Sequence, residues 1–445
     1  MRPNRCWLRA VLLRKLAPMT LMTPRIPTKR IVIVGAGVAG SIMARALAMQ
    51  AGLEVTCLEQ VAPDDHASAG LVIGPNAIKA LHMRDPLLAS AIGEAGLPWD
   101  HWRVSLCSGE VLLDLPLTRV ADHGGVRILR ATLYRVLRQA AGNTVRYRCK
   151  LLACGASPQD PARSYVVWEQ HGQQHRLDDI DLLIAADGRD SPTRSAFDSK
   201  PRMHQLGALL FRLLVPDAGA GRIDDYEQWC NGPNRLLAFR LPDGRINIAG
   251  SLPLASGEKT QKTPHAGIGP QALRAAYTPA HARPGPQAGW LIDTLCANVD
   301  AICWYRMQAC GIRFAEPHAQ VMYLGDSAHA MAPPLGQGVA QAIEDACGAA
   351  ELIATSLAGG ETSPRAWLTT FEAARLERLR FVMSVAPHAA GLMLGDATEQ
   401  DRASALGALR QLYCQVALPR HGSGPVVGPG FGPGFGPVAG TGLPA

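Results

Sequence analysis

Ile31-Val-Ile-Val34-Gly35-Ala-Gly37-Val-Ala-Gly40 joins a short, wholly apolar run to three glycines spaced G-x-G-x-x-G. A run without polar alternation reads as a strand buried on both faces, as in a parallel sheet. The residues that follow, through Met49, read as a helix, and Val55–Leu58 as a second strand ending at Glu59. Strand, glycine turn, helix and strand form a dinucleotide-binding unit, a context that makes an otherwise weak motif specific. Gly35 permits the tight turn, Gly37 lets the backbone approach a pyrophosphate, and Gly40 allows the helix to pack closely on the strand. The free N–H groups at the helix start favour phosphate there. Glu59, 19 residues beyond Gly40, is placed to accept hydrogen bonds from an adenosine ribose and to repel the extra phosphate of NADP. FAD and NAD both remain open on these residues.

Outward from this unit, 445 residues with 47% hydrophobic side chains predict two packed domains in one chain. Trp102–Leu106 and Val111–Leu115 alternate like a hairpin of another sheet; Leu129–Leu137 reads as a helix and Asp181–Ala186 as a buried strand. Leu209–Val215, Arg235–Arg240 and Arg245–Ala249 read as antiparallel strands, and the Pro/Gly/Lys-rich stretch 256–286 as a loop or insertion. Val321–Leu324 returns to a buried strand, followed by a long helix over Val339–Leu357 whose apolar positions keep to one face.

The formal net charge of +7 belongs to the N-terminal leader. Arg2, Arg5, Arg9, Arg14, Lys15, Arg25, Lys29 and Arg30 carry eight positive charges, and residues 31–445 are left at −1. The body therefore offers no electrostatic reason for a nucleic-acid partner. The leader alternates arginines with Trp7, Leu8, Val11, Leu12 and Leu16, the pattern of a transit or membrane-surface segment; the preferred reading is an unstructured extension or an over-long start. The sequence predicts no transmembrane segment. Eleven cysteines without a C-x-x-C pair read as reduced thiols of a cytoplasmic protein. No metal site is expected, since His171 and His175 fall in a hairpin turn. The tail is a Gly-Pro low-complexity segment expected to be disordered.

Two later motifs decide between the dinucleotides. Asp181-Leu-Leu-Ile-Ala-Ala-Asp187-Gly188-Arg-Asp-Ser191-Pro-Thr-Arg194 and Gly325-Asp326-Ser-Ala-His329-Ala-Met-Ala-Pro333-Pro-Leu-Gly336-Gln-Gly338 resemble the DG and GD motifs of the single-component FAD-dependent aromatic hydroxylases, of para-hydroxybenzoate and salicylate hydroxylase type. With the glycine motif, Gly70–Asn76 and Arg130, the resemblance spans about residues 31–385. It implies an α/β fold: a Rossmann-type FAD-binding domain with an interleaved, largely antiparallel β-sheet substrate domain. The expected division is 1–29 leader; 30–97, 125–200 and 314–385 FAD-binding domain; 98–124 and 201–313 substrate domain; 386–420 C-terminal helical segment; 421–445 tail.

By the same resemblance, Asp326 meets the ribityl hydroxyls of FAD, where an acceptor is useful. Gly336 and Gly338 approach the pyrimidine edge of the flavin at a helix N-terminus whose dipole favours negative charge. Arg130 reaches the phosphate and ribose region, backbone near Val72 and Leu151 lines the cofactor, and Asp187 and Gly188 serve FAD and a transient nicotinamide. The implied reaction consumes NAD(P)H and O2 and hydroxylates a small aromatic or heteroaromatic substrate. Alternatives on the same fold are a flavin reductase or oxidase, or a non-enzymatic flavin-binding scaffold. No catalytic base stands out. Arg212 either steadies a substrate carboxylate or pairs on the surface, and Tyr226 is a further catalytic candidate, as is Tyr305, although isolated tyrosines commonly serve packing.

Overall fold

The computed structural model describes residues 28–63, 69–197, 203–217, 221–254, 268–316, 318–331, 336–391, 398–416 and 418–422. Most of the basic leader and nearly all of the Gly-Pro tail lie outside them. The expected fold class is the observed one, a mixed α/β chain. Its centre is a six-stranded sheet in the spatial order Ala315–Glu316, Val321–Tyr323, Leu182–Ala185, Lys29–Val34, Leu53–Leu58 and Val145–Arg146. Every pairing is parallel except at the Ala315–Glu316 edge. Ile31, Val32 and Ile33 are wholly buried, because the Val38–Ala48 helix and the long Gln337–Ala358 helix pack with this sheet into one core. Strands enclosed on both faces need no polar alternation, which is why the run Ile31–Val34 has none.

A second, seven-stranded sheet is ordered Cys303–Cys310, Met203–Pro216, Arg245–Pro253, Asn234–Arg240, Tyr226–Asn231, His101–Leu106 and Val111–Pro116. Five of its six pairings are antiparallel, and the sixth, between Tyr226–Asn231 and His101–Leu106, is parallel. The seven-stranded sheet bonds to the nucleotide-binding side at Gly70, whose N–H donates to Asn247 Oδ1 at 3.1 Å. Gly70 belongs to a small sheet of Gly70–Ile73, Gly125–Leu129 and Leu97–Trp99, so this bond is one of those that tie the nucleotide-binding side to the seven-stranded sheet.

Several local readings need correction. The stretch 256–286, read as a loop, contains the helix Pro270–Tyr277; Leu273 and Tyr277, four apart, bury one face of it against the second core. Its proline and glycine sit at the helix start rather than breaking it. Residues 150–180 form a three-stranded antiparallel sheet; the expected hairpin turn is there at His171 and Gly172, φ 54° and 77°, while His175 lies in the strand Gln173–Ile180 that follows. The strand Leu97–Trp99 pairs with Gly125–Leu129 rather than with the hairpin that follows it. At the C-terminal end the helix Pro364–Gly391 runs through residue 385, and a separate helix, Glu399–Cys414, follows. No helix among the described residues is long and apolar enough to cross a membrane.

Gly40 shows how tightly the first helix sits. A Cβ there would lie 1.8 Å from the Gly35 carbonyl oxygen and 3.2 Å from Ala186 Cβ. Backbone cannot move aside as a side-chain end can, so Gly40→Ala should cost about 1–3 kcal/mol by overpacking. Chemical denaturation of the apoprotein measures this; a change below about 0.5 kcal/mol would show that helix and turn part freely.

Candidate active site

The glycine turn presents open backbone. Gly35 adopts φ +94°, and a Cβ there would meet the Ala186 oxygen at 2.4 Å. Gly37, by contrast, has ordinary extended backbone, and among the described residues beyond its chain neighbours nothing lies within 4 Å of where a Cβ would stand. No described side chain caps the helix that begins there, so its N–H groups face outward. Glu59 is buried at the neighbouring strand end. Its Oε2 accepts the Ala36 N–H at 2.6 Å, its Oε1 accepts the Val61 N–H at 3.0 Å, and Arg138 Nη2 stands 3.6 Å from Oε2. The carboxylate expected to hold a ribose thus also pins the glycine turn, leaving fewer lone pairs for a ligand. Arg138, which sequence reasoning missed, also donates to the Ala36 carbonyl at 3.2 Å. Its place on the Arg130–Ala141 helix carries no local motif that would announce it.

A cleft of about 520 Å³ opens between the Gly70–Ile73 strand, the Asp326 turn and the start of the long helix on one side and the seven-stranded sheet on the other. Val72, Asp326, Gly336 and Gly338 line one side of it, Arg212 and Tyr226 the other. Gly336 caps the long helix in the left-handed region, φ +64°, and among the described residues no other part of the fold comes within 4 Å of a Cβ placed on Gly338. Asp326 opens a short helix and is paired loosely with Arg189, 3.9 Å away, which also lines the cleft. Asp187 does not line it. Its carboxylate accepts the Ser191 hydroxyl at 2.5 Å and the Thr193 N–H at 3.0 Å, and burial raises its pKa above the ordinary range. It organises the turn through Gly188, φ +85°, so that Arg194 reaches the Ser327 and Ala328 carbonyls at 3.0 and 3.1 Å. The DG segment is thereby bonded to the Asp326 turn.

Arg130 stands at the start of its helix, with a buried Nε that has no hydrogen-bond partner among the described residues. Leu151 falls away from the cleft, on the strand Lys150–Ala156. Nearby Cys149 donates its N–H to the Glu59 carbonyl at 2.8 Å, which puts Leu151 toward the Glu59 end of the site rather than beside Gly336.

On the far wall, Arg212 is not a surface residue in search of a partner. Its Nε donates to the Tyr305 hydroxyl at 2.9 Å, and its guanidinium lies 4.7 Å from the centre of that ring. Tyr226 is buried between Trp99 and Phe239, with ring centres 4.9 and 6.0 Å away, and its hydroxyl accepts from Gln228 at 3.2 Å. Burial pushes its pKa up to about 12, so near neutral pH it is a neutral hydrogen-bonding group and not a base. Among the described residues lining the cleft, Arg189, Arg212 and Arg235 are cationic and Asp326 alone is anionic.

The residues present fit a flavin dinucleotide. The space over Gly37 and Gly338 admits a ligand against bare backbone, and Arg130 Nε, buried without a hydrogen-bond partner among the described residues, is a donor suited to a ligand acceptor. Below this cofactor-facing wall lies a buried ion cluster. Glu344 and Asp345 of the long helix are held by Arg375 and Arg378, with His329 beside Asp345. Burial opposes ionisation of both acids, yet Arg378 and Arg375 hold Glu344, and His329 and Arg375 hold Asp345, below the usual carboxylate range.

Residues 28–215 match the family model described as an FAD binding domain. The chain is 26% identical to 6-hydroxynicotinate 3-monooxygenase of Pseudomonas fluorescens over 328 residues, covering 71% of this chain and 80% of that protein. It is 27% identical to 3-amino-4-hydroxybenzoate 2-monooxygenase of Streptomyces cremeus, covering 71% and 76%. Among solved structures, Klebsiella pneumoniae HpxO complexed with FAD and uric acid superposes with a TM-score of 0.66 at 22% identity, over 86% of this chain and 93% of that one.

Gly37→Ala and Asp326→Ala separate ligand binding from folding. Each should leave apoprotein stability within about 0.5 kcal/mol, as for substitutions away from packed features. FAD affinity should fall at both: by about 10- to 150-fold at Asp326→Ala, the worth of a charge-assisted hydrogen bond, and at Gly37→Ala because the added methyl stands where the pyrophosphate approaches the backbone. FAD titrations run beside apoprotein melts measure both; unchanged affinity at Asp326→Ala would remove it from the cofactor site.

Proposed function

We propose that the chain is one of the FAD-dependent aromatic hydroxylases, a flavoprotein monooxygenase with NAD(P)H as co-substrate, and that its substrate is a one- or two-ring aromatic or heteroaromatic acid held by Arg212. The observation that carries this reading is the Arg212–Tyr305 pair, set in the same cleft as Asp326, Gly336 and Gly338. A cleft with three arginines and one carboxylate favours an anion, and a guanidinium oriented by a hydroxyl and a ring face is prepared for a carboxylate.

Bound FAD supplies the hydride-accepting and oxygen-activating chemistry. Gly37, Arg130 and the N-terminus of the Val38–Ala48 helix hold its phosphates, and Asp326 its ribityl chain. Gly336 and Gly338 offer N–H groups at the start of the long helix, where the dipole stabilises negative charge. Leu210, Leu237, Phe239 and Met307 supply apolar surface that orients a ring and excludes water. Tyr226 and Gln228 hold a polar substituent as neutral partners, which suits a reaction in which the ring carries its own activating group. This division of labour accounts for the lack of an obvious side-chain base in the sequence. The monooxygenase reading is supported over the reductase, oxidase and scaffold alternatives. A cytoplasmic location is proposed on ten described cysteines that are free thiols, many of them buried.

The test is NAD(P)H oxidation screened across hydroxylated benzoates and pyridine carboxylates, each against its amide. The expected result is faster oxidation with an acid and formation of its hydroxylated product. Arg212→Met should raise KM for that acid by about 10- to 150-fold and change KM for the amide little. Equal effects on acid and amide would sink the carboxylate assignment. Rapid oxidation indifferent to every aromatic compound, with peroxide matching the nicotinamide consumed, would sink the hydroxylase reading.

A further inference from the structure

Glu344 and Asp345 are consecutive on the long helix, and consecutive helical side chains point about 100° apart. They therefore serve different neighbours. Asp345, wholly buried, faces the Asp326 turn: its Oδ2 accepts the Gly325 N–H at 2.8 Å and lies 2.7 Å from His329 Nε2. Glu344 faces the glycine loop and the Gly70–Asn76 segment. Its Oε1 accepts from Asn76 Nδ2 at 2.6 Å and Gln341 Nε2 at 3.0 Å. Those two amides also donate to Gln337 Oε1 at 3.0 and 3.1 Å, and Gln337 stands between Gly336 and Gly338.

One side chain spans the two acids. Arg375, buried on the Pro364–Gly391 helix, donates from Nε to Asp345 at 2.8 Å, from Nη1 to Glu344 at 3.1 Å and from Nη2 to Gln341 at 2.7 Å. Arg378 bonds Glu344 alone among the acids and runs on to the Leu412 carbonyl. Neither arginine lines the cleft.

We propose that Arg375 is a positioning residue for the flavin, fixing the Asp326 turn against the Gly336–Gly338 loop without touching the cofactor. The proposal rests on the reading of those two segments as flavin-binding. A guanidinium is a rigid planar fork, so bonds from its separate nitrogens fix where the two carboxylates stand. An ammonium in its place keeps the charge but loses the fork. Without it, Asp345 and the Gly325 amide are free to shift relative to Glu344, Gln341 and Gln337.

The experiment compares full-length Arg375→Lys with Leu368→Ala, which empties a buried position on the same helix outside the ion cluster. For each, the apoprotein is melted, FAD is titrated, and the absorption envelope of bound FAD is recorded. Arg375→Lys is expected to weaken FAD at least tenfold and to alter the envelope. Leu368→Ala, at an equal or larger loss of Tm, should bind FAD within twofold of the unmodified chain with an unaltered envelope. The charge-matched pair Arg375→Met with Glu344→Gln keeps the test open if the lysine variant folds poorly, and it too should lose FAD affinity beyond its loss of Tm. The proposal is overturned if these variants bind FAD as Leu368→Ala does, or if affinity falls only in step with Tm across the set. Failure of the unmodified chain to take up FAD overturns the flavin reading itself, and is told apart because it appears without any substitution.

Discussion

Two ionised acids buried side by side in a helix cannot be left uncompensated, since removing one partner from such a cluster typically costs about 3–5 kcal/mol. Glu344 and Asp345 impose that constraint on everything around them. The Pro364–Gly391 helix must lie where Arg375 and Arg378 reach them, and the Asp326 turn must bring His329 and the Gly325 amide to Asp345. The Gly70–Asn76 segment must deliver Asn76 to Glu344. Three stretches far apart in sequence, two of them lining the cleft, are thus referred to one helix. Apolar packing alone tolerates sliding; a hydrogen-bonded ion cluster specifies register, at the expense of desolvating its members.

Order below the cleft is matched by polarity within it. The nucleotide-binding side supplies open backbone and Asp326, while the seven-stranded sheet supplies Arg212, Tyr305 and an apolar floor. The bond from Gly70 to Asn247 holds the two halves in contact beside the cleft, so the ring-binding wall and the cofactor-facing wall are built on elements bonded to one another. Buried Tyr226 contributes polarity without charge, and the protein's task becomes placement and exclusion of water rather than proton abstraction.

What was legible in the sequence was what local backbone chemistry demands. Gly35 and Gly40 each answer to a specific steric requirement at their own position, Gly37 keeps the backbone between them bare, and the run Ile31–Val34 declares its burial by lacking alternation. Gly336 and Gly338 could be placed at a helix start for the same reason. Arg375 and Arg378 could not be found this way. They lie on a helix whose sequence reads as an ordinary charged one, and their partners are 30 or more residues away. Arg138 is equally silent, 102 residues from the Ala36 carbonyl it holds. The helix Pro270–Tyr277 was hidden by composition: prolines and glycines around it suggested a loop, although Leu273 and Tyr277 mark a buried stripe. Asp187 was legible as part of a motif, but its actual partners, Ser191 and Thr193, make it an organiser of the turn.

The flavin content of the full-length protein, purified natively and then heat-released for chromatographic identification, tests the central claim most directly. The account predicts one FAD per chain, or uptake of one FAD when the apoprotein is supplied with it. Protein that carries no flavin, and takes up none when FAD is added in excess, would contradict it.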